Sequence, residues 1–279
     1  MLIFIIVLGI LLLLAALYCL AVQGRTGHPA LNTIRGWSYA HRGLHGEGIP
    51  ENSMAAFLAA KKAGYGVELD VHMLADGNLA VIHDSQLRRT TGRPGRVEDL
   101  TTAQLEEYFL ENTDETIPEF RQVLELFDGK VPLVVELKPV GGNHEALTEA
   151  VCGMMESYRG IYCMESFDPR CLIWLKKHRP DIIRGQLSEN YFASKNVKLP
   201  FLLKWLLSEN LGNLITKPDF VAYRYRDRFS TLSNLICLKH LPCVSWTVKT
   251  QEEFDIAVKE GWTPIFENFR PNAARRENN

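Results

Sequence analysis

Short apolar runs and stretches with helical spacing take turns along this chain from Trp37 to Phe266. The apolar runs are Trp37–Ala40, Val67–Val71, Leu79–Ile82, Leu133–Glu136, Ile161–Glu165, Ile182–Leu187, Phe220–Tyr223, Cys243–Val248 and Thr263–Phe266. Between many of them apolar residues recur every third or fourth position, as in Glu51–Gly64, Glu119–Phe127, His144–Tyr158, Pro169–His178 and Gln251–Glu260. Short, near-continuous apolar runs suit strands buried on both faces. Strands that alternate with helices pair in parallel, with the helices packed outside. About 250 residues of such alternation is an ordinary length for one closed α/β barrel, and no repeat at a solenoid period competes with that reading.

Two stretches break the pattern. Residues 85–117 hold a Thr90-Thr91-Gly92 turn, a Pro94-Gly95 turn and one short helical stretch near Thr102–Phe109, and read as a small insertion over one face of the barrel. Pro200–Asn210 is apolar almost all round, with Trp205 in its middle. It is consistent with a buried helix or with an interfacial helix touching a bilayer.

Before the alternation, Met1 to Val22 carries no charged side chain. As a helix it is about 33 Å long, enough to cross a bilayer core. No Lys or Arg precedes the run, and it is longer than the apolar core of a signal peptide. A lipoprotein reading would use Cys19, but bulky Tyr18 precedes it. The expectation is a retained transmembrane helix over 1–24, a polar linker over 25–36 and a barrel domain over 37–272. Arg25 and Arg35 follow the helix, so the positive-inside bias puts the barrel in the cytoplasm. Beyond Cys19 there are Cys152, Cys163, Cys171, Cys237 and Cys243, with no Cys-x-x-Cys pair. Such spacing suits free thiols in a reducing compartment rather than a disulfide framework or a zinc site. A net charge of −2 gives no basic excess for binding nucleic acid.

The chemistry sits at the ends of the apolar runs. Glu68 and Asp70 fall on one face of their strand, since strand side chains alternate, and Glu136 ends another strand. Carboxylates near a barrel axis are costly unless paired with basic groups or bound to a cation. Together, the three suit one hard divalent ion, Mg²⁺ or Ca²⁺. Lys138 lies two residues beyond Glu136 and is expected to point at the same place, a sensible cradle for a phosphate. His41-Arg42-Gly43 follows the first strand, offering an acid–base group and a guanidinium fork. Asp76-Gly77 signals a tight hairpin; if Ala75 pairs with Asn78, His83 lies opposite Asp70. His72, nearer the turn, is expected to be a bystander. The set points to metal-assisted phosphoryl transfer with acid–base help.

The motifs Ala40-His41-Arg42-Gly43, Pro50-Glu51-Asn52-Ser53, Glu68-Leu69-Asp70-Val71, Asp76-Gly77, His83-Asp84, Arg89-Thr90-Thr91-Gly92, Ile117-Pro118, Glu136-Leu137-Lys138-Pro139, Ser166-Phe167-Asp168 and Trp246-Thr247-Val248 occur in that order. In order and spacing the chain resembles the glycerophosphodiester phosphodiesterases of the phospholipase-C-like TIM-barrel superfamily. The resemblance implies an α/β TIM (β/α)8-type barrel with a small insertion after His83-Asp84. It implies Glu68, Asp70 and Glu136 as ligands of one divalent ion, and His41 and His83 as the acid–base pair, with their individual roles open. Arg42 and Lys138 would steady the phosphate, Trp246 would wall the pocket, and Glu51 would touch the metal or the glycerol. The implied reaction is hydrolysis of a glycerophosphodiester to sn-glycerol 3-phosphate and an alcohol. The alternative is lysophospholipase-D-like hydrolysis of lysophospholipids at the membrane. A non-catalytic barrel should have lost a ligand or a histidine, and none is missing. Ser53 stands where the family usually has Thr, and His72-Met73-Leu74-Ala75 replaces a more polar stretch. Ile265-Phe266-Glu267-Asn268 departs from the usual last strand, which puts the detail of the last loop in doubt.

Overall fold

The structure, a computed structural model, describes residues 1–194 and 197–272, and the side chains of all of these except 237–240. Its strands are β1 (Tyr39–His41), β2 (Gly66–Met73), β3 (Leu79–Val81), β4 (Leu133–Leu137), β5 (Tyr162–Ser166), β6 (Arg184–Ser188), β7 (Phe220–Arg224), β8 (Cys243–Val248) and β9 (Trp262–Phe266). All but β3 run parallel around the barrel, and β9 pairs back onto β1 to close it. The α-helices are α1 (Leu2–Val22), α2 (Leu31–Ile34), α3 (Met54–Ala63), α4 (Arg88–Thr91), α5 (Phe120–Phe127), α6 (His144–Met155), α7 (Pro169–His178), α8 (Phe201–Ser208), α9 (Asn213–Thr216), α10 (Leu232–His240) and α11 (Gln251–Lys259). Each barrel strand except β2 and β9 is followed directly by helix, and β2 is followed by the hairpin strand β3.

Inside the barrel, alternate residues of each strand face the axis. The N-terminal end is plugged by Tyr39, Val134, Phe220 and Ile265, with Ile34 of α2 packed beneath. Two glycines make room for the large rings. A methyl group on Gly66 would lie 2.7 Å from the Tyr39 ring, and one on Gly185 would lie 2.1 Å from the Phe220 ring. Gly185→Ala is therefore expected to cost about 3 kcal/mol, since a well-packed core has no slack for an added carbon. Denaturant unfolding measures it, and a loss near zero would show that the Phe220 ring can move aside.

Several expectations needed correction. The hairpin register is displaced by one residue: Val71 pairs with Val81 and Met73 with Leu79, so Asp70 faces Ile82 and not His83. The cause is a longer loop. Leu74 N donates to Asn78 O, leaving Ala75, Asp76 and Gly77 in the turn, with Gly77 at φ 82°. Pro200–Asn210 is no buried helix. Among the residues of α8 only Ser208 is buried, while Phe201 and Leu202 are 77% and 62% exposed. Within residues 25–36, Ile34 is buried and its carbonyl accepts from the Tyr39 hydroxyl at 2.7 Å. The insertion builds its own small core from Leu87, Val97, Leu100, Leu105 and Leu110 against Leu74 and Ile82. Its expected helix near Thr102–Phe109 is a 3-10 turn over Thr102–Glu107. Cys19, Cys152, Cys163, Cys171 and Cys243 are free, whereas the side chain of Cys237 lies outside those described.

α1 is long and apolar enough to cross a membrane. Its last turn is tied to the N-terminal end of the barrel. Val22 is fully buried and its carbonyl accepts from Asn213 Nδ2 at 2.9 Å. Tyr18 donates to Glu209, and Arg25 makes a two-pronged ion pair with buried Asp219 at 2.6 Å on each arm. Between them Gly24 passes so close to Pro218 O that a methyl group there would sit 2.0 Å away.

Candidate active site

Parallel register gathers the acidic residues. His41 of β1 stands beside Glu68 of β2, and Asp70 stands beside Glu136 of β4. All are on the inward face near the C-terminal ends of their strands, where barrel loops build active sites. One carboxylate oxygen from each of Glu68, Asp70 and Glu136 lies within 4.8 Å of the other two, and all three residues are buried. A donor set of oxygens alone, with this spacing and charge, fits a hard divalent cation. The three acids that alternation placed on inward strand faces thus converge.

Basic groups surround the acids. Lys138 Nζ lies 3.0 Å from Glu136 Oε1 and 3.3 Å from Asp70 Oδ1. Arg42 Nε lies 3.4 Å from Asp70 Oδ2, and its backbone N donates to Glu68 Oε2 at 3.2 Å. Arg42 itself takes a left-handed conformation, φ 54°, as the chain leaves β1. Asn52 Nδ2 also donates to Asp70 Oδ2, at 2.8 Å. These neighbours part the acids electrostatically. Burial pushes Glu68 well above the carboxylate range, with Asp70 and Glu136 adding to the push. Burial acts on Asp70 too, but Lys138, His83 and Arg42 outweigh it and hold Asp70 well down. Glu136 is pushed up to about 7, by burial against the pull of Lys138. Lys138 stays charged, because Glu136 and Asp70 overcome its own burial.

Each histidine is backed by a carboxylate. His41 Nδ1 lies 3.0 Å from Glu267 Oε2, which leaves Nε2 turned to the cleft, 3.8 Å from Glu68. Burial pushes the His41 imidazole down to about 4, so the ring is neutral at pH 7. Its hydrogen bond to Glu267 in turn holds that carboxyl down to about 2. His83 Nδ1 lies 2.6 Å from Asp84 Oδ1, and Arg89 Nε donates to the other Asp84 oxygen. Although the register argument misplaced it, His83 reaches the same cavity from beyond the end of β3, lining it with His41, Arg42, Glu68 and Glu136. An adjoining cleft of about 480 Å³ is lined by His83, Lys138, Phe167 and Asp168.

Other expected residues sort as follows. Glu51 is not turned to the three acids; its Oε1 accepts from Arg42 at 2.8 Å and from Arg89 at 2.5 Å. It fixes the guanidinium of Arg42, whose Nε faces Asp70. Trp246 walls the cavity, edge-on to Phe167 at 5.5 Å between ring centres. His72 is buried, held between Glu98 Oε1 at 2.8 Å and the His83 carbonyl at 3.2 Å. Its ring thereby ties the backbone of His83 to the insertion.

Sequence reasoning missed Glu267, Asp84 and Glu165. Glu165 is fully buried beside Glu136 and lines the cavity, with Oε2 lacking a hydrogen-bond partner among the described residues. Its place two residues before Phe167, on the inward set of β5, was a readable signal. Glu267 had one too, as a lone acid just past the last apolar run.

Comparison with known proteins agrees with this geometry. The family model for the glycerophosphoryl diester phosphodiesterase family matches residues 41–270. A glycerophosphodiester phosphodiesterase of Caldanaerobacter subterraneus subsp. tengcongensis is 36% identical over 237 residues, 80% of this chain and 89% of that protein. One from Bacillus altitudinis is 38% identical over 130 residues, a match spanning 43% of this chain and about half (53%) of that protein. Among solved structures, a phosphodiesterase of Oleispira antarctica in complex with its product sn-glycerol-3-phosphate superposes with a TM-score of 0.67. It is 23% identical and covers 82% of this chain and 92% of that one.

Proposed function

The chain belongs to the glycerophosphoryl diester phosphodiesterase family and is a phosphoric diester hydrolase; from that premise we propose metal-dependent hydrolysis of glycerophosphodiesters to sn-glycerol 3-phosphate and an alcohol. The observation that carries the metal dependence is the meeting of Glu68, Asp70 and Glu136 within 4.8 Å, with two carboxylate-backed histidines alongside. When bound there, Mg²⁺ or Ca²⁺ supplies Lewis-acid neutralisation of charge developing on the phosphoryl oxygens. Lys138 and Arg42 bind the same phosphate from two sides. His41, neutral at pH 7, takes the proton of the attacking oxygen at Nε2. His83, whose Nδ1 is held 2.6 Å from Asp84 Oδ1, gives a proton to the leaving alkoxide. Release of sn-glycerol 3-phosphate from glycerophosphocholine, assayed with Mg²⁺, Ca²⁺ or Mn²⁺ added to chelator-treated enzyme, tests the reaction. Absence of product with every metal would reject it.

Glu267 is the orienting group for His41. Glu267→Gln keeps the size of the side chain but loses the charge that favours the Nδ1–H tautomer. It is expected to lower kcat roughly tenfold or more with little change in KM. An unchanged kcat would remove Glu267 from the machinery.

We also propose that α1 is kept as a membrane anchor, with the barrel on the cytoplasmic side. Support comes from the fit of its last turns: Val22 is buried, its carbonyl accepts from Asn213, and Tyr18 donates to Glu209 of the folded barrel. A leader that is cut away has no need of such contacts. The exposed apolar face of α8 favours a second reading of the substrate, a lysophospholipid taken from the bilayer. Rates on glycerophosphocholine and lysophosphatidylcholine, measured side by side, separate the two.

A further inference from the structure

Resting on the reading of α1 as a retained anchor, we propose that the α8–α9–α10 flank of the barrel is a membrane-seating surface that dips into the lipid interface beside the anchor. Phe201, Leu202 and Trp205 of α8, Leu214 and Ile215 of α9 and Leu232 of α10 are all exposed large apolar side chains. Large apolar side chains exposed on three consecutive helices of one flank are the kind of surface that marks a membrane or partner contact.

The occupant follows from where α1 docks. α1 packs against α9 and α10. Its Tyr18 bonds to Glu209, the residue that caps α8, and its Val22 carbonyl bonds to Asn213 at the start of α9. The same three helices that carry the apolar residues therefore receive the end of the membrane-crossing helix. If α1 spans the bilayer, its docked last turn lies at the headgroup boundary, and so do its immediate neighbours. A surface held at that depth meets lipid rather than bulk water. The composition suits it: Lys198 and Lys204 flank or interrupt the apolar set, where anionic headgroups attract them, and Trp205 is a residue type enriched at this depth.

This seating has a consequence for substrate access. The loop after β6 leaves the C-terminal rim of the barrel, where the active site lies. There Phe192 packs on Phe201 at 5.2 Å between ring centres, at the head of α8. The next residue back, Tyr191, is buried, and its backbone N donates to Ser208 Oγ at the end of α8 at 3.0 Å. An apolar ridge thus runs from the rim of the active site along α8 to the anchor. It supplies a path by which an acylated glycerophosphodiester reaches the rim without its chain crossing water.

The test uses the full-length protein reconstituted in phosphatidylcholine vesicles, with and without acyl chains brominated near the headgroup. Bromolipid is expected to quench part of the tryptophan fluorescence, and Trp205→Phe is expected to lose that part. The remaining tryptophans include Trp262, which is buried in the core. Phe201→Asp is expected to weaken the quenching of Trp205 while hydrolysis of water-soluble glycerophosphocholine stays unchanged. Quenching that is the same with and without Trp205, or a Trp205 shielded from lipid by a second copy of the chain, would overturn the proposal. Flotation of the same vesicles keeps the two readings apart. Protein that fails to float rejects the anchor and this surface with it; protein that floats with Trp205 unquenched rejects the surface alone.

Discussion

Alanine at either His41 or His83 is expected to cut turnover of a glycerophosphodiester by at least about a hundredfold, the usual worth of a positioned acid or base. The two losses should arise differently. Without His41, no neutral ring receives the proton of the attacking oxygen, although Glu267 keeps a partner in Lys249 at 3.6 Å. Without His83, the alkoxide must leave unprotonated, while Asp84 keeps Arg89. Because each orphaned carboxylate retains a cationic neighbour, neither change should unfold the barrel, and melting temperatures should stay close to that of the parent. Groups that act as a unit do not add, so the double variant should be scarcely slower than the worse single one. Steady-state kinetics beside thermal melts make the check. Turnover near normal in either single variant would remove that histidine from the reaction.

Stripping divalent metal is expected to lower activity by about a thousandfold or more, since neutralising charge on the phosphoryl group is worth several kcal/mol. Mg²⁺ or Ca²⁺ should restore it, and Asp70→Asn should lose both the metal and the rate. The pH dependence of binding has a definite sign. Burial raises the Glu68 carboxyl well above its usual range and the Glu136 carboxyl to about 7. A proton on either oxygen competes with a cation, so affinity should weaken as pH falls through about 7 and strengthen above it, with protons released on binding. Calorimetry in two buffers of different ionisation heat counts those protons. At a concentration a hundred times its Kd, the ion should stabilise the fold by about 2.7 kcal/mol. Metal-free enzyme, verified by elemental analysis, that retained full turnover would end this account of the three acids.

These expectations rest on residues that were largely legible in the chain. Glu68, Asp70, Glu136 and Lys138 could be placed because strand side chains alternate, and alternation is a property of the nearest neighbours alone. His83 was found for a partly wrong reason. The loop at Ala75-Asp76-Gly77 is one residue longer than the tightest hairpin, which shifts the pairing of β2 with β3 by one. His83 still enters the cavity because it lies past the last paired residue, where the period of two no longer binds the chain. Glu51 matched its motif, and only the structure shows that its carboxylate pairs with Arg42 and Arg89.

By itself the sequence determined the alternation of parallel strands with helices, the inserted segment, the apolar first helix and the inward-facing acids, because each is written in short-range periodicity and spacing. Only the tertiary structure decided that Glu267 backs His41 across 226 positions of chain. It also decided that Glu165 shares the acids' cavity, and that α8 turns its apolar side outward beside α1. Barrel closure brings β9 against β1, and helix docking chooses which face of an evenly apolar segment is covered. Both depend on contacts between distant parts of the chain, and no local pattern encodes them.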